Sequence, residues 1–294
     1  EGVEPGPSKD GWVDIHGLMG QIYQPDSDPN DSIRYYLNSR ASSEDSWLTE
    51  PAIQSHLAYR DLYGRAVGSS SRLDGVWKDF IDEDEEITLG FDGSIRNDST
   101  ALVGCRVSDG LLFLIKLQQR PDNADPDWRV DRDGFDAAVR RMFENYNVIG
   151  CFADTRFFES MIGGWEAEYG RGMKVYARGQ SSMMKFWTNN WSQDMYRALQ
   201  CAHSSFEYAP EPVEDGEPDP NNILLCADPR LVSHFRNAKR REKSWGYQIH
   251  KETPKSPHKI DACMAGVLAY AAREKYLGQF EDDTPQRVMP QRVW

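Results

Sequence analysis

Long apolar runs are missing from this chain of 294 residues. None approaches the roughly 18 residues of a membrane span. The longest candidate, ACMAGVLAYAA at 262–272, reads as a buried helix. No signal peptide opens the sequence, so nothing argues for secretion. Glu1 stands where a Met would start a complete chain, and a piece of something longer is expected. Cysteine is scarce: Cys105, Cys151, Cys201, Cys226 and Cys263 lie far apart, with no CxxC. That excludes a disulfide frame or a zinc knuckle and leaves buried thiols of a reducing compartment. The six histidines form neither HExxH nor another close pair, so zinc is not expected. There is no GxxxxGK followed by Ser or Thr, no GxGxxG and no GxSxG. Phosphate-loop ATPase, dinucleotide and α/β-hydrolase chemistry therefore lack their motifs.

Positive charge is also in deficit. The net charge of −13 argues at first against a nucleic-acid partner. The sum hides a local contrast. EYAPEPVEDGEPDPNN (207–222) is acidic and proline-rich, whereas RNAKRREKSWGYQIHK (236–251) carries Arg236, Lys239, Arg240, Arg241, Lys243 and Lys251 against Glu242. Salt screens charges beyond about 8 Å at physiological ionic strength, so local charge decides a contact. The acidic loop reads as a disordered insertion or a flap.

What is present is an alternation of strands and helices. Residues 1–86 read as a linker region, with helices through SIRYYLNSRAS and TEPAIQSHLAYRDLY, the latter opened by a capping Thr49 and an early Pro51. From 87 the period changes to two. Strands are expected at 87–92, 100–107 and 111–117, the last two joined by a turn at 108–110. A helix at 133–146 and a strand at 148–154 follow, then a helix at 157–169 and a strand at 173–177. Further helices are expected at 182–200, 229–242 and 259–276, with strands at 204–209 and 244–251. Three antiparallel strands followed by strand–helix units give an α/β fold, a ribonuclease H-like mixed sheet with helices on both faces. Residues 87–277 form this domain and 278–294 a flexible tail.

Three acids stand where a backbone element begins or ends. Asp92 closes the first strand between Gly90 and Gly93, Asp154 closes the fourth, and Asp261 opens the last helix. Each has a plain structural reading as well: a turn residue, a helix cap and a first-turn acid. If the first and fourth strands lie side by side and parallel, Asp92 and Asp154 are neighbours, and Asp261 reaches them from the helix. Three converging carboxylates repel one another, which a hard divalent cation relieves. The expectation is metal-sharing distance, with two ions roughly 3.5–4 Å apart able to clamp a phosphodiester. Gly90 and Gly93 are expected to keep space clear for a bulky, charged group approaching Asp92, although Asp-Gly is also a common turn pair.

Several spaced motifs then resemble one family. GFDGSIRNDSTALVG, CFADTRFFES, GQSSMMKFWTNNWSQDMYRAL, DPRLVSHFRNA and IHKETPKSPHKIDACMAGVLAYA are similar to the nuclease domain of the large terminase subunit of tailed bacteriophages. YYLNSRASSEDSWLTEPA is similar to the segment that joins its ATPase and nuclease domains. The resemblance implies a metal-dependent endonuclease that cuts concatemeric double-stranded DNA during genome packaging. It implies catalytic metals, Mg²⁺ or Mn²⁺, on Asp92, Asp154 and Asp261, with Asp98 and Lys259 in support. It implies that Lys251 and Lys259 face the DNA or its cleavage site, while the charge of the basic stretch adds Lys239, Arg240 and Arg241 as expected DNA contacts. It also implies a portal protein or procapsid and a small terminase subunit as partners, no membrane, and the cytoplasm of an infected bacterium as location. The ATPase motor that precedes the nuclease in the family is not in this sequence.

Two alternatives stay open. One is another ribonuclease H-like enzyme of resolvase or transposase type. The other is a docking module that binds DNA or portal without catalysis. A docking module has no reason to keep three clustered acids, which favours an enzyme.

Overall fold

Ile87, Leu89 and Phe91 turn one way from their strand and Thr88, Gly90 and Asp92 the other, and a layer of helices covers each side. The computed structural model describes residues 45–59, 76–94, 99–121, 123–125, 127–178, 182–186, 193–208, 210, 221–244, 246–253 and 256–278. The helix expected in SIRYYLNSRAS, Asp98, most of the acidic stretch 207–222 and the tail from 279 lie outside these residues.

A sheet of seven strands runs through the middle. Its strands are β1 (Leu57–Ala58), β2 (Glu86–Asp92), β3 (Thr100–Arg106), β4 (Leu111–Gln118), β5 (Asn147–Asp154), β6 (Lys185–Phe186) and β7 (Leu224–Cys226). Their order is β1-β7-β4-β3-β2-β5-β6. The β2–β3 and β3–β4 pairs are antiparallel, whereas β2–β5, β5–β6, β4–β7 and β1–β7 are parallel. Three antiparallel strands with parallel additions is the ribonuclease H-like arrangement expected from the sequence. A second sheet is the hairpin of β8 (Lys239–Lys243) and β9 (Gly246–His250).

The helices are α1 (Glu50–Ser55), α2 (Arg132–Asn145), α3 (Glu159–Tyr169), α4 (Gln193–Phe206), α5 (Pro229–Arg236) and α6 (Asp261–Tyr276). On one face Phe135, Val139 and Met142 of α2 and Ile162 and Trp165 of α3 pack on Ile87, Leu89 and Phe91. On the other, α6 lies on the sheet, and α4 and α5 cover α6. That sandwiching buries α6 nearly all round, in keeping with its run of alanines. Four of the five cysteines are buried in these layers. Burial pushes the Cys151 and Cys226 thiols up to about 12, which keeps them inert. Among the described residues no helix is long and apolar enough to cross a membrane.

Several elements differ from expectation. Thr49 caps α1 through Ala52 N–H as expected, but the helix stops at Ser55. Leu57 and Ala58 then pair with Leu225 and Cys226 of β7, a strand with no counterpart in the sequence reading. In residues 173–177 the Lys174 and Val175 N–H groups both donate to the Ile149 carbonyl and Ala177 N–H donates to the Met183 carbonyl, in place of a ladder. The outer strand comes from Lys185–Phe186, inside the stretch expected as helix. Helix α4 runs through Phe206, over residues expected as a strand. Helix α5 ends at Arg236, and the KRREK that should have prolonged it is strand β8. Asp45 and Trp47 explain that change. The Asp45 carbonyl accepts Arg240 N–H at 2.6 Å, and Trp47 N–H donates to the Ala238 carbonyl at 2.9 Å, which draws the chain out straight.

Candidate active site

β2 and β5 are parallel neighbours, with Phe91 opposite Ala153. One step further along the register, Asp92 and Asp154 end the two strands side by side, about 5 Å apart at Cα. Helix α6 brings the third acid. Its approach is so close that a Cβ on Gly90 would lie 1.9 Å from the Ala265 carbonyl oxygen. Thr88 Oγ1 donates to the Ala269 carbonyl at 2.7 Å, which fixes the helix over β2. A Cβ on Gly93 would meet the Phe158 ring at 2.6 Å. Gly90 thus makes room for the protein's own helix, and for it the expectation of space kept for a charged group is corrected, whereas Gly93 packs by the Phe158 ring and also lines the cleft.

Asp92, Asp154 and Asp261 all line one open cleft of about 410 Å³. Ser99, buried just before β3, donates its hydroxyl to Asp261 Oδ2 at 2.9 Å. Asp154 Oδ1 accepts the Arg156 N–H at 3.0 Å. The Thr100 hydroxyl ties down the chain after Asp92 by accepting from Ser94 N–H and donating to Ser94 O. Cys263 lies in the first turn of α6. Burial pushes its thiol well above the ordinary range, and the nearby Asp92 carboxylate adds to the effect.

The acids ring the cleft and do not close on a point. Among the described residues no group of three His, Cys, Asp or Glu side chains is close enough to hold a metal ion. The expectation of three carboxylates at metal-sharing distance is corrected to that extent. The donor set still suits a hard cation, because the three acids offer oxygen only. Magnesium is usually held by one or two carboxylates together with water and substrate phosphates, not by an all-protein cage. The residues fit an ion of that kind.

The β8–β9 hairpin contributes to the wall of the same cleft. Lys239, Arg241 and Lys243 alternate with Arg240 and Glu242, and Arg241 stands across from Gln248. Arg241, Lys243, Gln248 and Lys251 line the cleft, as does Arg156 beside Asp154. Lys239 and Arg240 do not. The Lys239 ammonium pairs with Asp45 at 3.2 Å and Ser46 at 3.3 Å. The Arg240 guanidinium lies over the Tyr247 ring at 4.2 Å and pairs with Glu242 at 2.6 Å. Lys259 also stays off the cleft wall, and its carbonyl accepts from Asn237 Nδ2 at 3.0 Å. Asp98 lies outside the described residues.

Sequence reasoning missed Arg156, Phe157, Gln248 and His250 as cleft residues and named Lys243 only within the basic run.

No protein-family model matches the chain. It is 34% identical over 267 residues to the Gene 13 protein of Mycobacterium phage D29, which is 90% of this chain and 41% of that protein. The chain therefore spans about two fifths of that curated relative's length. Solved structures similar to it include the large terminase of bacteriophage HK97, with a TM-score of 0.49 and 16% identity, covering 87% of this chain and 48% of that one. The large terminase nuclease from thermophilic phage G20c, solved with bound magnesium, gives a TM-score of 0.45 and 12% identity, covering 78% of this chain and 98% of that one.

Proposed function

We propose that this chain is the nuclease part of a phage large terminase, a divalent-metal-dependent endonuclease that cuts concatemeric double-stranded DNA during genome packaging. One observation carries the reading. Three carboxylates from two adjacent parallel strands and one helix start share a cleft with a wall of cationic side chains. Acids alone would repel a polyphosphate, and cations alone would only bind it. Both together suit a phosphodiester whose oxygens are shared between metal and protein.

Asp92, Asp154 and Asp261 would hold Mg²⁺ or Mn²⁺, two ions in the full site. Metal bound there activates water and stabilises charge on the leaving oxygen. The chain's own residues orient and hold. Ser99 O–H fixes which oxygen of Asp261 faces the cleft, and Arg241, Lys243 and Lys251 neutralise the phosphates on either side of the break. Portal or procapsid and the small terminase subunit belong to the same reading as partners, in the cytoplasm of an infected bacterium.

The test is cleavage of supercoiled and linear plasmid with Mg²⁺, Mn²⁺ or chelator, beside Mn²⁺ binding measured by calorimetry. Asp92→Asn and Asp261→Asn should lose cleavage by a factor of a thousand or so, equivalent to about 4 kcal/mol, and weaken Mn²⁺ binding with unchanged unfolding. A parent chain that binds duplex but cuts it under no metal condition would instead be a docking module.

A further inference from the structure

Among the described residues the exposed large hydrophobic side chains are Tyr59, Phe157 and Tyr208, and of these Phe157 lines the cleft. It is 59% exposed and three residues beyond Asp154. It is also the non-glycine residue of the described chain with a left-handed backbone, at φ +68°. That region costs a bulky side chain conformational energy, and turns that need it ordinarily place Gly or Asn there. Such strain persists only where the surroundings over-determine it, and it gathers at functional sites.

The surroundings here are specific. Asp154 Oδ1 accepts the Arg156 N–H, and Phe158 N–H donates to the Thr155 carbonyl at 3.2 Å, which closes a tight turn. Phe158 is fully buried, edge-on to Phe91 at 5.1 Å, with the Arg132 guanidinium 4.9 Å from its ring. The Phe158 carbonyl accepts Ile162 N–H to begin α3. With Asp154 and Phe158 both anchored, the residue between them is driven outward. A glycine would satisfy the turn with no strain, so the phenyl ring is not there for the turn.

We propose that Phe157 stacks on a nucleobase of the DNA strand whose phosphate enters the cleft, so that the chain acts where bases are unstacked. This rests on the nuclease reading. In an intact duplex the base faces are covered by their neighbours, and a ring beside the phosphate meets a base only at a frayed, kinked or single-stranded step. The cations Arg156, Arg241 and Lys251 hold the backbone around it.

The experiment compares the parent with Phe157→Gly, Phe157→Leu and Phe157→Trp. The probes are a single-stranded oligonucleotide carrying a fluorescent purine analogue and the duplex of the same sequence, with chelator present to prevent cleavage. Loss of one stacking contact is expected to weaken single-strand binding about tenfold and to abolish the fluorescence change in the Gly and Leu variants. The Trp variant should restore both. Thermal unfolding of the Gly variant should come at or above the parent's temperature, since glycine relieves the strained φ. Unchanged single-strand affinity and fluorescence in both the Gly and Leu variants would overturn the proposal and leave the ring to a protein contact. The nuclease reading is judged separately by metal-dependent plasmid cleavage in the parent chain.

Discussion

His234 is buried behind the start of α6, where its Nδ1 accepts the Ala262 N–H at 2.8 Å. Acceptance there requires the neutral imidazole with its proton on Nε2, which has no hydrogen-bond partner among the described residues. Burial, and then the Lys259 ammonium, lower its pKa from 6.5 to about 4. Between those values the unfolded chain binds a proton that the folded chain refuses. The contribution to stability is therefore present above the unfolded value and lost as pH falls toward about 4, in total by about 3 kcal/mol. His234→Asn keeps an acceptor for Ala262 but cannot titrate. Urea unfolding across this window should show a shallower pH dependence for the variant, and parallel curves would mean that another group is responsible. Nothing in the sequence marks His234, because its partner lies 28 residues ahead. Asp92 was legible for the opposite reason, since alternation along a single strand decides its position.

The β8–β9 hairpin separates cations that sequence reasoning treated as one basic run. Pleating sends Arg241 toward the cleft and Arg240 to the other side, over Tyr247. Each phosphate contact on duplex DNA adds about 0.9 to the slope of log affinity against log salt. Replacing Arg241 and Lys243 together by Ala should lower DNA affinity and flatten that slope by about two. Arg240→Ala should change neither by much, because its guanidinium is already engaged by Tyr247 and Glu242. Anisotropy titrations over a salt series check both. Equal effects from Arg240 and the cleft pair would place the DNA path elsewhere. Strand β8 escaped sequence reasoning because five consecutive charged residues carry no apolar period, and helix α5 upstream seemed to continue into them.

At the scale of the molecule, residues ahead of 86 enter both cores. Trp47, Leu48 and Ile53 pack with α4 and α5, with the Trp47 ring stacked on Phe235 at 6.2 Å. Trp77, Phe80 and Ile81 cover the opposite face. The Phe80 carbonyl accepts from the buried Arg106 at 3.1 Å, which also grips Asp109 at 2.6 Å. We propose that the folded unit begins by residue 45, so that the linker expected at 1–86 is in part domain. Trp47→Ala should cost about 3–5 kcal/mol in chemical unfolding. A chain started at residue 86 should give no cooperative transition, and a parent-like melting curve from it would restore the boundary at 86.

Local sequence by itself determined the strands β2 to β5, the turn at Gly110 and the buried helix α6, because a period of two, a turn pair and an alanine-rich run are each written within a few neighbouring residues. It also determined that Asp92, Asp154 and Asp261 stand at element boundaries. Only the tertiary structure decided what those boundaries share. Parallel pairing of β2 with β5 and the contact of Gly90 with Ala265 bring three separated acids to one cleft. The same is true of β1, β6 and β7, whose short sequences become strands only when a remote partner supplies their hydrogen bonds. The outward turn of Phe157 belongs there too, since its strain is imposed by anchors on either side that no local propensity records.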